Sequence, residues 1–210
     1  CIKVFNHSYD KADILNEALN QARVENLGLN VPKILEVTTV DGMWAIVSEY
    51  IEGTTLSHLM RDDPEHKDSY LDMLVETQML IHSRRCPLLS RLKDKMNRKI
   101  LSADLEPVTR YELLIRLEGL PTHDKLCHGD LCPSNIIRTE SGELYVIDWA
   151  HATQGNASAA PRLHGCKPGF LYDEALRNVL VHRAEPRLQT VFPYRNFMGN
   201  NSHLLLCSGT

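Results

Sequence analysis

The order of its hydrophobic patterns predicts that this 210-residue chain is an α+β protein, in which a small sheet precedes a mainly helical part. Three observations predict this fold class. Strand-like runs and one helical pattern fill residues 1–50, helical spacing dominates residues 64–119, and strand-like runs return over residues 126–150. A chain of this length can bury a substantial hydrophobic core.

Composition and charge exclude several classes of protein. Hydrophobic residues make up 43% and charged residues 24% of the chain, which excludes collagen-like, coiled-coil and wholly disordered proteins. A net charge of −4 disfavours a nucleic-acid partner. No apolar stretch is long enough to span a bilayer, so we expect no membrane partner. The 6 cysteines lack CxxC spacing, which favours free thiols and a cytoplasmic location, while the oligomeric state stays unknown.

The first elements are a short strand and a helix. Residues 1–5 (CIKVF) are β-prone, with Lys3 at the centre. From Ala12 the spacing becomes helical, and Gly28 is a plausible stop. One apolar face of this helix is predicted to consist of Ala12, Leu15, Ala18, Leu19 and Ala22.

A hairpin and a turn follow. Residues 33–50 resemble two strands around Asp41-Gly42, a strong hairpin signal. The second strand continues into IEGTTL, where Gly53 marks a turn and Thr54 or Thr55 can cap a short helix.

Three helices are predicted in residues 64–119. Pro64 suits the first turn of the first helix, and apolar residues at helical spacing define all three. The second helix carries a basic run, which we interpret as a solvated helix face rather than a nucleic-acid patch. This run consists of Lys93, Lys95, Arg98 and Lys99.

The residues best suited to catalysis or metal binding follow the predicted helices, around a second hairpin. The turn of that hairpin is Ser141-Gly142. The stretch HGDLCPSNII (128–137) precedes VIDW (146–149). Asp130, Asn135 and Asp148 present oxygen atoms on a loop and at a strand end, which suits Mg²⁺ together with phosphate oxygens. The remaining carboxylate, Asp130, can then act as a base toward a substrate hydroxyl group. An ordinary turn rich in Asp and Asn is the alternative.

The HGDxxxxN and IDW motifs resemble those of the aminoglycoside phosphotransferase/choline kinase family. The resemblance implies a protein-kinase-like two-lobe fold, with an incomplete small antiparallel-sheet N-lobe over residues 1–52 and a mainly helical C-lobe over residues 53–156. It implies that Asp130 is the catalytic base and that Asn135 and Asp148 are the metal ligands.

The resemblance also implies a nucleotide site. Lys3 lies where the family places a phosphate-binding lysine, and Glu17 is its candidate partner. Taken singly, Lys3 could be an edge-strand solubility residue and Glu17 a solvated helix carboxylate. The hinge between the lobes matches SEYIEG, where backbone groups near Glu49, Tyr50 and Ile51 are expected to bind adenine.

The implied function is an ATP-dependent, Mg²⁺-requiring phosphotransferase that acts on a small-molecule alcohol. The acceptor stays open among aminoglycosides, choline, thiamine, sugars and other alcohols, because a fold does not specify a substrate. The alternatives are a non-catalytic nucleotide-binding or scaffold protein, and an inactive truncated gene product.

Two departures from the family pattern qualify these expectations. The family's glycine-containing hairpin precedes the lysine strand, whereas this chain starts at Cys1, so we expect an open strand edge and weak activity. Residues 157–210 are atypical, interrupted by prolines, and are either a poorly packed, frameshifted tail or a divergent subdomain. Their one helical pattern spans residues 170–183.

Overall fold

A computed structural model describes residues 1–157 and the backbone of a short strand at 205–206. The predicted α+β class is confirmed, and the predicted helix at 170–183 lies outside the described residues. The helices are α1 (Lys11–Glu25), α2 (Leu56–Asp62), α3 (Lys67–His82), α4 (Leu92–Ser102) and α5 (Pro107–Glu118). The strands are β1 (Ile2–Val4), β2 (Ile34–Val40), β3 (Met43–Ser48), β4 (Thr54–Thr55), β5 (Lys125–Cys127), β6 (Ile136–Arg138), β7 (Leu144–Val146), β8 (Thr153–Gly155) and β9 (Leu205–Leu206).

The first sheet is antiparallel, with strand order β2-β3-β1-β9. The β2–β3 hairpin turns at Asp41 (φ 50°) and Gly42 (φ 77°), which confirms the predicted turn, since two positive φ angles favour Asp-Gly. On the other side of β1, Ile2 and Lys3 pair with β9, so the predicted open edge is wrong along these residues. The unpaired backbone groups of an edge strand bind any suitable extended segment.

The inner face of α1 differs from the predicted apolar face. Leu15 and Leu19 are 42% and 47% exposed. The buried residues are Ile14, Glu17, Ala18, Asn20, Gln21 and Val24. The polar members tolerate burial because they have partners: the Gln21 side chain, for example, donates a hydrogen bond to the Pro32 carbonyl at 2.7 Å. Hydrophobic spacing alone therefore misplaces this face by about one residue.

The helical part follows the predicted order with local adjustments. Thr55 is the residue that caps α2, because its hydroxyl accepts a hydrogen bond from the His58 N–H. Pro64 starts a short 3₁₀ turn before α3 rather than α3 itself. On α5, Val108 and Tyr111 are 70% and 67% exposed, so the apolar spacing there does not mark a buried face. None of the helices in the described part of the chain has the length and hydrophobicity needed to cross a membrane.

The main core holds the strands on both sides of residues 128–135. Leu126 on β5, Ile136 on β6 and Trp149 after β7 are fully buried in one cluster. β5 pairs with β8, while β6 and β7 form the predicted hairpin, with Gly142 at φ 88° in its turn. The buried Cys86 and Cys127 are free thiols, as predicted. The loop after β5 and the residues after β7 are thus anchored in a common core.

Candidate active site

His128 connects the loop after β5 to the end of β7. The ring is fully buried and its Nδ1 accepts a hydrogen bond from the Asp130 N–H at 3.2 Å. Its Nε2 therefore carries the proton and donates to the Ile147 carbonyl at 3.0 Å. Burial lowers the pKa of His128 despite the nearby Asp148 carboxylate, which keeps the ring neutral. One neutral ring thus sets the spacing between the two chain segments that carry Asp130 and Asp148.

Gly129 is required by both conformation and space. Its φ is 89°, in the left-handed region that disfavours other residues. A Cβ at this position would lie 2.5 Å from the His151 carbonyl oxygen. The His151 backbone therefore packs directly on the loop that carries Asp130.

Asp130 is a half-buried carboxyl group with few polar partners. Within residues 1–157 its Oδ1 atom is buried and has no hydrogen-bond partner. Burial, together with neighbouring Cys132 and Asp148, raises the pKa of Asp130 to about 8. Once ionised, a carboxylate in this setting has a high affinity for a proton, which is the property that a general base needs.

Asn135 and Asp148 form an oxygen-donating pair. The Asn135 amide nitrogen donates to the Asp130 carbonyl at 2.8 Å, which leaves its Oδ1 as an acceptor. The Ile147 N–H donates to the Asn135 carbonyl at 3.0 Å and so links the two segments. Asp148, the residue after Ile147, has a left-handed backbone with φ 64°, and its side chain is 30% exposed.

This pair fits a hard cation such as Mg²⁺, which takes few protein oxygens and completes its shell with phosphate and water. Across the described residues, no group of three or more His, Cys, Asp or Glu side chains could hold a metal unaided. Asn135, Asp148 and nucleotide phosphates would therefore have to share the coordination. The chemistry of the donor set agrees with that requirement.

Lys3 is brought to the same place from the first sheet. Its Nζ lies 2.6 Å from Glu17 and 3.4 Å from Asp148. Burial alone would lower the pKa of Lys3, but the Asp148 and Glu17 carboxylates outweigh it and raise that pKa. The structure thus joins the predicted lysine, its candidate partner and a candidate metal ligand in one ion-paired group, which we call the lysine cluster.

The predicted hinge residues 49–51 connect the first sheet to β4. Glu49 is bound to Lys33, the residue before β2: its backbone N–H donates to the Lys33 carbonyl at 2.9 Å, and its carboxylate accepts from the Lys33 N–H at 3.1 Å. Within residues 1–157, Tyr50 and Ile51 make no backbone hydrogen bond. Backbone N–H and C=O groups that bond to no other described backbone group can bind the edge of a planar base.

Two polar residues near the site were missed by the sequence interpretation. Asn20 on α1 donates to the Ala150 carbonyl at 3.3 Å, and Lys95 on α4 donates to the His151 carbonyl at 3.2 Å. Both bind backbone atoms, which leave no signal in a sequence. Lys95 had been assigned to a solvated face because its neighbours are also basic.

Comparison with known proteins agrees with this geometry. The model of a family described as "phosphotransferase enzyme family" matches residues 1–159. A thermostable mutant of aminoglycoside phosphotransferase APH(4)-Ia is 17% identical, with a TM-score of 0.59 over 82% of this chain and 71% of that one. The Streptomyces rimosus aminoglycoside phosphotransferase APH(3'')-Id, in complex with ADP and streptomycin, is 17% identical with a TM-score of 0.55, over 87% and 78%.

An aminoglycoside-3'-phosphotransferase of type VIII is 23% identical, with a TM-score of 0.51, over 75% of this chain and 64% of that one. A search of curated proteins finds no match. At these identities the solved structures establish the shared kinase-like fold, and the family model covers well over half of the chain. Through that match and that fold, the chain belongs to the phosphotransferase enzyme family.

Proposed function

We propose that the chain is an ATP-dependent kinase that transfers the γ-phosphoryl group to a hydroxyl group of a small molecule. The observation that carries this proposal is the partly unsatisfied Asp130 carboxyl beside Asp148, in a loop where the His128 ring binds the Asp130 backbone N–H. A base beside a cation site is the arrangement that phosphoryl transfer to an alcohol needs.

The nucleotide is proposed to lie between the hinge and the lysine cluster. Backbone groups of Tyr50 and Ile51 bind the adenine edge, and Lys3 neutralises phosphate charge while Glu17 holds it in place. ADP in the Streptomyces rimosus relative, and AMP-PNP with hygromycin B in an APH(4)-Ia variant, support a nucleotide and a small-molecule acceptor for this fold.

Asn135 and Asp148 would hold Mg²⁺ against the phosphates, and that cation would neutralise charge on the transferring group. Asp130 accepts the proton of the acceptor hydroxyl group. The hydroxyl oxygen forms its bond to the γ-phosphorus as the bond between that phosphorus and the bridging oxygen breaks, and ADP leaves with the bond's electron pair. The protein contributes mainly position and charge to this step.

A transfer assay with the purified chain tests the proposal. Mg·ATP binding by calorimetry and acceptor-dependent ADP release should both be observed, and Asp130→Asn should lower turnover by about 10²–10⁴-fold with little change in nucleotide affinity. Asp104→Asn, an exposed carboxylate in the connection between α4 and α5, is the matched control and should leave turnover unchanged. Mg·ATP binding without transfer to any alcohol would instead identify a non-catalytic nucleotide-binding protein.

A further inference from the structure

The basic run on α4 is only partly a solvated surface. Arg98 and Lys99 are exposed, whereas Lys95 is half-buried and its ammonium group donates a hydrogen bond to the His151 carbonyl at 3.2 Å. We call Lys95, Arg98 and Lys99 the α4 cluster. Its innermost charge points at the segment that follows Asp148.

The acceptor of that hydrogen bond adjoins the catalytic loop. The same His151 oxygen lies 2.5 Å from the position of a Cβ on Gly129, the residue before Asp130. The Lys95 ammonium is therefore separated from the backbone of the loop by a single carbonyl group. A substrate whose hydroxyl reaches Asp130 comes within the field of this charge.

Within the described part of the chain, no carboxylate balances the charge of Lys95. No Asp or Glu of residues 1–157 forms an ion pair with it, and its ammonium meets only a carbonyl oxygen. Burial, followed by the like charges of Lys99 and Arg98, lowers the pKa of Lys95 to about 8. An anion beside this group would replace repulsion with attraction and form a charge-assisted hydrogen bond.

We infer that the acceptor is an alcohol that carries an anionic group, a carboxylate or a phosphate, which binds at Lys95 with Arg98 and Lys99 supplying further positive potential. This inference rests on the proposed function and specifies its substrate class. Cationic alcohols are disfavoured, because they would bring a positive group toward an ammonium that no carboxylate of residues 1–157 neutralises.

Acceptors that differ in charge test the inference. Glycerol 3-phosphate and glycerate are the anionic probes, glycerol is the neutral probe, and choline and streptomycin are the cationic probes. With saturating Mg·ATP, we expect kcat/KM for the better anionic probe to exceed that for every other probe by at least about 10-fold, the effect of one charge-assisted hydrogen bond.

A pair of lysine variants locates the effect. Lys95→Met keeps most of the aliphatic stem and removes the charge, and it should raise KM for the anionic acceptor by about 10- to 100-fold while KM for ATP stays constant. Lys93→Met is the control, because Lys93 lies on the same helix and also donates to a backbone carbonyl, that of Glu118 at 2.8 Å. It should change neither constant.

The outcomes separate this inference from the proposed function. Efficient transfer to glycerol, choline or streptomycin, or a Lys95→Met effect on KM for ATP alone, would overturn the inference and leave the kinase assignment standing. Absence of Mg·ATP binding would overturn the kinase assignment. In that event, titration with glycerol 3-phosphate still tests the anion site. Equal affinity of the original protein and of Lys95→Met for this ligand would contradict an anion site at Lys95.

Discussion

Two regions of the same site treat their carboxylates in opposite ways. In the lysine cluster, Asp148 lies 3.4 Å from an ammonium group that α1 and β1 bring to it. In the loop after β5, the Asp130 carboxyl is half-buried beside Cys132 and Asp148, and one of its oxygens has no partner within residues 1–157. Asp148 thus has an ammonium group beside it, whereas burial favours the protonated form of Asp130.

The difference shows that the expected role of each carboxylate depends on which elements of the fold supply the residues around it. Lys3 reaches Asp148 from the first sheet, so this ion pair depends on how that sheet packs against the residues after β7. Asp130 depends mainly on burial in its own loop, with smaller contributions from Cys132 and Asp148. Changes in the lysine cluster should therefore alter cation and nucleotide binding, while changes in the loop should alter proton transfer and folding.

Removal of the paired carboxylate should give the largest effect. Asp148→Asn is expected to weaken Mg·ATP binding by at least about 100-fold, because substitution of groups that merely support metal ligands already costs 10–100-fold. Binding of metal-free ATP should fall much less, as measured by calorimetry with EDTA. Equal losses with and without Mg²⁺ would contradict the role of Asp148 as a metal ligand.

A methyl group on the loop should produce the next largest effect. Gly129→Ala is expected to lower the free energy of unfolding by about 1–3 kcal/mol, because a positive φ and a 2.5 Å approach to the His151 carbonyl coincide there. Gly42→Ala is the control for strain alone, since Gly42 also has a positive φ but no atom within 4 Å of the added carbon. Chemical denaturation should show the smaller loss for Gly42→Ala, and identical losses would show that the close approach costs nothing.

Neutralisation of Glu17, the second carboxylate beside Lys3, tests the lysine cluster from the side of α1. Glu17→Gln is expected to weaken ATP binding by about 3- to 10-fold, because Lys3 loses one of its two carboxylates but keeps a hydrogen-bond acceptor at the same place. Glu25→Gln, at the last residue of α1, should leave ATP affinity unchanged. Titration with metal-free ATP measures the affinity of both variants. An unchanged affinity of Glu17→Gln would contradict a contribution of α1 to nucleotide binding.

A further effect concerns the pH dependence of stability. The folded-state pKa of Asp130 is raised from 3.8 to about 8, so between these values the folded chain holds a proton that the unfolded chain has released. Stability from this group therefore falls as pH rises through that range. Relative to Asp130→Asn, the original protein should lose free energy of unfolding between pH 5 and pH 8, whereas Asp104→Asn should run parallel to the original protein. Parallel curves for all three would contradict the raised pKa.

Local spacing predicted the elements that hold the site. Turn chemistry at Asp41-Gly42 and Ser141-Gly142 specified both hairpins, because few residues accept positive φ. The placement of Lys3 beside Glu17 was anticipated through the family resemblance rather than through spacing. The roles of these residues in cation and nucleotide binding stay predictions.

Contacts between distant elements were not predictable in this way. The buried face of α1 includes Glu17 and Asn20, since the helix packs on polar atoms of the site rather than on an apolar layer. Lys95 looked like a solvated residue because the carbonyl it binds lies 56 positions along the chain. A pattern read from one segment contains no information on such a partner.

The buried imidazole of His128 has a consequence for positional error. A reacting hydroxyl must be placed relative to both a base and a phosphate to within a fraction of an ångström, and each flexible link between those references adds its own fluctuation. Here the linkage is one rigid ring with a hydrogen bond at each end, to Asp130 and to Ile147. The ring thus fixes the spacing between Asp130, the proposed base, and the segment that leads into Asp148, a proposed metal ligand. We therefore expect motion of the first sheet to change nucleotide binding without changing that spacing.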